Sequence, residues 1–185
     1  MIIDLFRTGS RRAVGPAALT LCAALGLALA GGTVRAADPL PPPAVLSEVT
    51  GDVTIVRGLA KTEIDGEEDL ALREGDEVRT AVGAKVTISF RDEHLVRLAE
   101  RSSLVIKTLK STSTGFFGQV KLATGKLFAS FAKLTGTGSG FKVETRTAVA
   151  AVKGTTFSVE DSEEASVISV LEGTVSAAGV DESGA

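Results

Sequence analysis

Residues able to do acid–base, metal or nucleophilic chemistry are few in this chain. His94 is the only histidine, and it follows Asp92 and Glu93 directly. A metal centre would need more nitrogen or thiolate ligands, yet Cys22 is the only cysteine. Three polar residues in a row belong to a turn, where a solvated side chain is expected. A Ser-His-Asp triad would depend on the same histidine, and no G-x-S-x-G phrase accompanies it. Carboxylates are plentiful, but Glu67-Glu68-Asp69 and Asp161 to Glu164 are charge runs of the kind that loops expose to water. A glycosidase places two carboxylates about a sugar, and sugar subsites generally carry aromatic platforms; the chain has no Trp and no Tyr. Thr135 to Gly140 (TGTGSG) lacks the Gly-Lys-Ser/Thr and following helix of a phosphate loop. No catalytic, metal or cofactor site is expected; the alternative is a small protein that binds or hydrolyses a cell-wall polymer through its surface carboxylates.

The phenylalanines offer a different chemistry, that of contact. Phe116 and Phe117 are adjacent between Gly115 and Gly118. Successive side chains of a strand point to opposite faces, so in a strand one of the two is exposed; in a turn both could tuck inward. Phe128 poses the same question, because Leu127, Ala129 and Phe131 take the other face. An exposed aromatic can anchor a partner, which makes Phe116, Phe117 and Phe128 the candidate patch.

The elements that hold these residues begin after a leader. Arg7, Arg11 and Arg12 precede an uncharged run from Ala13 to Gly32, which ends in Val34-Arg35-Ala36. A basic start, an apolar middle and small residues at the exit predict a secretory signal peptide over 1–36, cut between Ala36 and Ala37. The alternative is an uncleaved anchor, borderline in length for a span; either way the remainder lies beyond the membrane, which the protein would touch only through that segment. A periplasmic or secreted location follows. Residues 37–44 (ADPLPPPA) predict an extended proline-rich linker, 45–178 one β domain, and 179–185 a disordered tail. From Asp38 onward the chain has 16 Lys+Arg against 22 Asp+Glu, a balance that opposes nucleic acid as a partner.

Within the domain, apolar residues recur with a period of two: Val86, Ile88, Phe90; Leu104, Ile106; Val120, Leu122; Phe141, Val143; Phe157, Val159. Each run predicts a strand with one dry and one wet face. Ala148–Val152 (AVAAV) and Val167–Leu171 (VISVL) are apolar on both faces, which predicts central strands buried on both sides. Ile64 to Arg73 has the composition for one short helical turn. Glycine-led corners punctuate the strands. An all-β fold follows: a short β-solenoid or twisted two-layer β-roll, with a β-sandwich as the alternative.

The ordered phrases GDVTIVRG (51–58), LREGDEVRT (72–80), AKVTISFRDEHLVRL (84–98), GKLFASF (125–131), FKVETRTAVAAVKGTTFSVE (141–160) and VISVLEGTVS (167–176) resemble the FecR-like domain family. The residues matching its turn motifs are Gly51, Gly75, Asp76, Thr80, Gly125, Thr145, Gly154, Thr155 and Gly173. Two departures occur: Asp92-Glu93-His94 stands where the family usually has Asp-Gly, and Arg146 where a proline commonly follows the threonine. The resemblance implies a compact β-solenoid-like domain outside the inner membrane, which in the founding regulators relays a signal to a cytoplasmic anti-sigma segment. Only 12 residues precede the apolar stretch of this sequence, so the exported domain alone is expected, without that segment. It implies an envelope protein as partner, no small-molecule cofactor, and binding or signal sensing in place of catalysis.

Overall fold

The computed structural model describes residues 42–58, 60–91, 94–112, 115–133 and 138–179. The leader with Ala36 and Ala37, most of the proline-rich linker, Asp92, Glu93, residues 134–137 and the tail from 180 lie outside them. All regular structure among the described residues is strand: β1 (Ala44–Thr50), β2 (Val53–Arg57), β3 (Thr62–Asp65), β4 (Glu77–Thr80), β5 (Lys85–Phe90), β6 (His94–Leu98) and β7 (Ser103–Thr112) come first. They are followed by β8 (Gly115–Ser130), β9 (Gly140–Glu144), β10 (Ala148–Val152), β11 (Thr156–Asp161), β12 (Ser166–Glu172) and β13 (Val175–Gly179). No helix among the described residues is long and apolar enough to cross a membrane.

The thirteen strands form one sheet, curled so that two layers share a core. Layer A runs β1-β5-β6-β8-β11-β12, and layer B runs β3-β2-β4-β7-β8-β9-β10-β13. Pairing is antiparallel except between β8 and β9. This is the twisted two-layer roll that the period-two pattern predicts.

β8 joins the layers, its first part pairing with β7 and β9 and its last part with β6 and β11. Phe116, Val120 and Leu122 point inward before Gly125, and Leu127 and Ala129 after it, so the inward parity switches at that residue. Gly125 has φ 94°, and a Cβ there would come within 2.7 Å of both Cα and Cβ of Ser102. Only glycine makes this corner without displacing its neighbour.

The core contains Leu46, Ile55, Ile88, Leu98, Leu104, Ile106, Leu122, Leu127, Phe141 and Phe157. An aromatic cluster lies within it. Phe90 lies 5.9 Å from Phe116 and 5.3 Å from Phe141, and Phe131 lies 4.2 Å from Phe141, measured between ring centroids. His94 is buried in the same cluster, 5.9 Å from Phe116 and 5.3 Å from Phe131. The expectation of a solvated turn histidine is thereby corrected: His94 opens β6, and its parity in that strand turns it inward.

Two other expectations are overturned. β10 does lie between β9 and β13, but its outward residues are only half-buried. β12 is an edge strand paired with β11 alone, and it is mostly exposed. Runs apolar on both faces are buried on both sides only when something covers each face. Among the described residues no helical layer covers this sheet. Ile64 to Arg73 forms no helical turn; it is the end of β3 followed by an irregular strap.

Candidate protein-contact surface

The polar residues of the family turn motifs, Asp76, Thr80, Thr145 and Thr155, are buried and occupied with the fold itself, while Gly51, Gly75 and Gly173 stand at exposed corners. Asp76 is 1 % exposed and receives hydrogen bonds from Arg57 Nε at 2.9 Å, Arg57 Nη2 at 2.7 Å and the Arg73 backbone N–H at 2.9 Å. The same guanidinium reaches the Ala71 carbonyl at 2.9 Å. The Asp76 carboxylate raises the Arg57 pKa above its ordinary value. Thr80 Oγ1 donates to the Ala99 carbonyl at 2.6 Å and accepts from the Ser102 N–H at 2.9 Å, which holds the 99–102 turn against β4. Thr145 Oγ1 closes its turn by bonding both the carbonyl and the N–H of Ala148, and Thr155 Oγ1 donates to the Thr174 carbonyl at 3.0 Å. Gly51, Gly75, Gly154 and Gly173 all have positive φ, as corners require. The side chains of Asp76, Thr80, Thr145 and Thr155 thus have hydrogen-bond partners within the fold.

Arg146, the departure from the family phrase, has a use of its own. Its Nε lies 3.3 Å from the buried carboxylate of Asp161, and its Nη2 donates to the Ser162 carbonyl. A proline would offer neither contact. With Thr147 Oγ1 donating to Ser166 Oγ at 2.7 Å, the 145–147 turn of layer B is tied to the start of β12 in layer A.

The expected phenylalanine patch does not exist as one surface. Phe116 is 3 % exposed and belongs to the aromatic core, because the even-numbered residues of this part of β8 point inward. Phe117 points outward on layer B, where it borders a groove of about 460 Å³ with Gly140, Lys142, Val152, Lys153 and Ser176. Lys142 Nζ lies 5.9 Å from the Phe117 ring centre. Phe128, 39 % exposed, points outward on layer A beside Leu95 and Arg97. The Gly125 corner separates the two outward rings onto different layers.

Exposed aliphatic residues that were not among the candidates are gathered on β12, where Val167, Val170 and Leu171 are 55 %, 46 % and 64 % exposed. Ile168 and Val170 stand opposite the buried Val159 and Phe157 of β11, so they face the interior at a place where the roll is open. Between Val170 and Glu172 the ladder carries a bulge at Leu171. The signal for this surface was present in VISVL, since a strand apolar on both faces must either be covered or expose one of them. Among the described residues, no group of three or more His, Cys, Asp or Glu is arranged to hold a metal ion.

No curated protein matches the chain significantly. A solved structure of a candidate anti-sigma factor from Parabacteroides distasonis is similar over 55 % of this chain and 50 % of its own, with 19 % identity and a TM-score of 0.40. The chain thus spans about half the length of that protein. The pattern of the family described as FecR protein matches residues 76–176, from the buried Asp76 at the Arg57 ion pair to Ser176 on the last strand. With more than half of its length matched, this chain belongs to the FecR family.

Proposed function

We propose that this protein is an exported, non-catalytic module of the cell envelope that senses or relays a signal through protein–protein contacts. The observation that carries this reading is the edge of β12, a seven-residue strand with aliphatic side chains on both faces and, among the described residues, no strand on its second ladder side. Unpaired edges with this composition are templates for adding another strand. The buried polar residues support a non-catalytic reading, since Asp76, Thr80, Thr145 and Thr155 are engaged in holding corners. Export to a periplasmic or secreted location is supported by the basic, apolar and small-residue order of residues 1–36.

The test combines maturation with contact in the host cell. N-terminal sequencing of the protein recovered from the envelope or medium is expected to begin at Ala37. A photoreactive residue at Leu171 is expected to form adducts with protein, and one at Thr62 of the opposite edge strand β3 is not. An intact N-terminus in the cytoplasm, or equal labelling from both positions, would overturn the reading.

A further inference from the structure

Among the described residues the sheet offers four edges where another strand could add, and three are guarded. β1 is covered by the strap, through an isolated bridge between Val45 and Ala71. β3 is four residues long and reads Thr-Glu-Ile-Asp, a short charged edge that repels a partner strand. β13 ends in Ser-Ala-Ala-Gly and has little to pack against a neighbour. β12 is unguarded: it has no Lys, no Pro and one charge, Glu172, at its end.

We propose that the occupant of this edge is β12 of a second copy of the chain, paired antiparallel about a two-fold axis at Ser169. The inference rests on reading β12 as the contact surface. What selects a second copy is the order of residue types along the strand, which reads nearly the same in both directions. From Ser166 to Glu172 it runs polar, apolar, apolar, polar, apolar, apolar, polar. Antiparallel pairing centred on Ser169 therefore sets Ile168 against Val170, Val167 against Leu171, and Ser166 against Glu172, each pair occurring twice. Directly opposed apolar side chains are the stabilising unit of a sheet. An isologous contact needs this self-complementarity, which an edge suited to an unrelated strand would lack.

Charge permits the same arrangement. The two Glu172 carboxylates fall at opposite ends of the paired segment, roughly 20 Å apart at about 3.3 Å per residue, so each meets a serine and neither meets the other. A shift of the register by one residue in either direction would set a polar residue against an aliphatic one at four of the six opposed positions. Pairing also covers the mouth of the roll, since the half-exposed Val170 of each copy gains Ile168 of the other. The bulge at Leu171 leaves Ser166 to Val170 regular, so the Ser169–Ser169 and two Ile168–Val170 pairs form the regular centre of the contact and the Val167–Leu171 and Ser166–Glu172 pairs flank it across the bulge. A contact made of one strand is small, so dimerisation is expected to be weak, with a dissociation constant on the order of 10–100 µM.

Cysteine pairing tests the partner and the register together. In the full chain with Cys22→Ser, Ser169→Cys places two thiols directly across the axis, whereas Val167→Cys or Leu171→Cys alone faces an aliphatic side chain. Mild oxidation or a short bismaleimide is expected to give covalent dimer at least about tenfold faster from Ser169→Cys than from either other variant, because a disulfide demands close Cβ atoms. Val170→Lys, which sets a charge against Ile168, is expected to weaken sedimentation-detected dimer about tenfold or more. Should that variant misfold, Ser169→Cys remains informative, since Ser169 is exposed and the substitution is nearly isosteric. Equal cross-linking from all three positions, or a monomer at about 200 µM, well above the expected constant, would overturn the proposal. In the host cell, Ser169→Cys captured on a different protein without self-adduct would remove the second copy and leave the contact reading standing. No adduct of either kind would remove both.

Discussion

The two ends of the roll solve the same physical problem differently. At one end the strap from Gly66 to Asp76 bridges the layers. The Gly66 N–H donates to the Val53 carbonyl of layer B at 2.8 Å, and the Asp69 and Leu72 N–H groups donate to the Leu46 and Ala44 carbonyls of layer A at 2.8 and 3.0 Å. Gly66 approaches Val53 so closely that a Cβ would lie 2.7 Å from Cγ1. The strap is then fastened by the Arg57–Asp76 pair and by Gly75 N–H donating to the Ile106 carbonyl. Leu70 and Leu72 pack against or within the core from this side. At the other end the layers are joined at points, by Arg146 to Asp161 and Ser162, Thr147 to Ser166, and Thr155 to Thr174, and among the described residues β11 is the one strand paired with β12. The difference teaches that this fold closes one side with its own chain and, among the described residues, leaves the edge of β12 uncovered on the other.

That contrast can be broken most sharply at Asp76. Asp76→Ala leaves the largely buried Arg57 guanidinium without its carboxylate and the Arg73 N–H without an acceptor. The expected loss is about 3–5 kcal/mol, the range for breaking a buried pair from one side, read as a lowered urea midpoint. At the open end the corresponding change is Asp161→Ala. It removes the acceptor of Ser166 Oγ and of the more exposed Arg146, and about 1–3 kcal/mol is expected from equilibrium unfolding. Equal losses at the two ends would mean that the strap is no firmer than the point contacts opposite.

The smallest effect concerns acid. Glu77 on β4 is hydrogen-bonded by Arg79 at 2.8 Å and by Ser103, and the Arg79 bond leads in holding its pKa below the ordinary glutamate value. A carboxylate with a depressed folded value stabilises above its unfolded pKa and loses that contribution as pH falls through the folded one. Glu77→Gln is therefore expected to lower the urea midpoint slightly at pH 7, by at most about 1 kcal/mol for a partly exposed pair. The difference from the parent should shrink as pH falls through the lowered folded value. A difference that grew on acidification would contradict the assignment.

Much of the architecture was legible in the sequence. Strands at Val86–Phe90, Leu104–Ile106 and Phe157–Val159 follow from alternation, and the corners at Gly51, Gly154 and Gly173 follow from glycine before a strand. The surface was less legible. Strand geometry puts Phe116 and Phe117 on opposite faces, but the sequence left open a turn with both tucked inward, and which of them faced the core depended on the phase of β8. That phase changes at Gly125, where the strand passes between layers. VISVL was misjudged for a related reason. Its composition matches a strand covered on both faces, and composition does not say whether a cover exists.

Order along the chain determined local facts about this protein: its alternating strands, its glycine corners, the scarcity of reactive groups and the family it belongs to. These depend on neighbours one or two residues apart, where backbone geometry acts directly. Tertiary structure decided the long-range facts: that Asp76 reaches Arg57, that His94 is enclosed by phenylalanines, and that β12 is left at an edge. Each of those depends on which distant strands pair, and pairing is settled by the whole core at once.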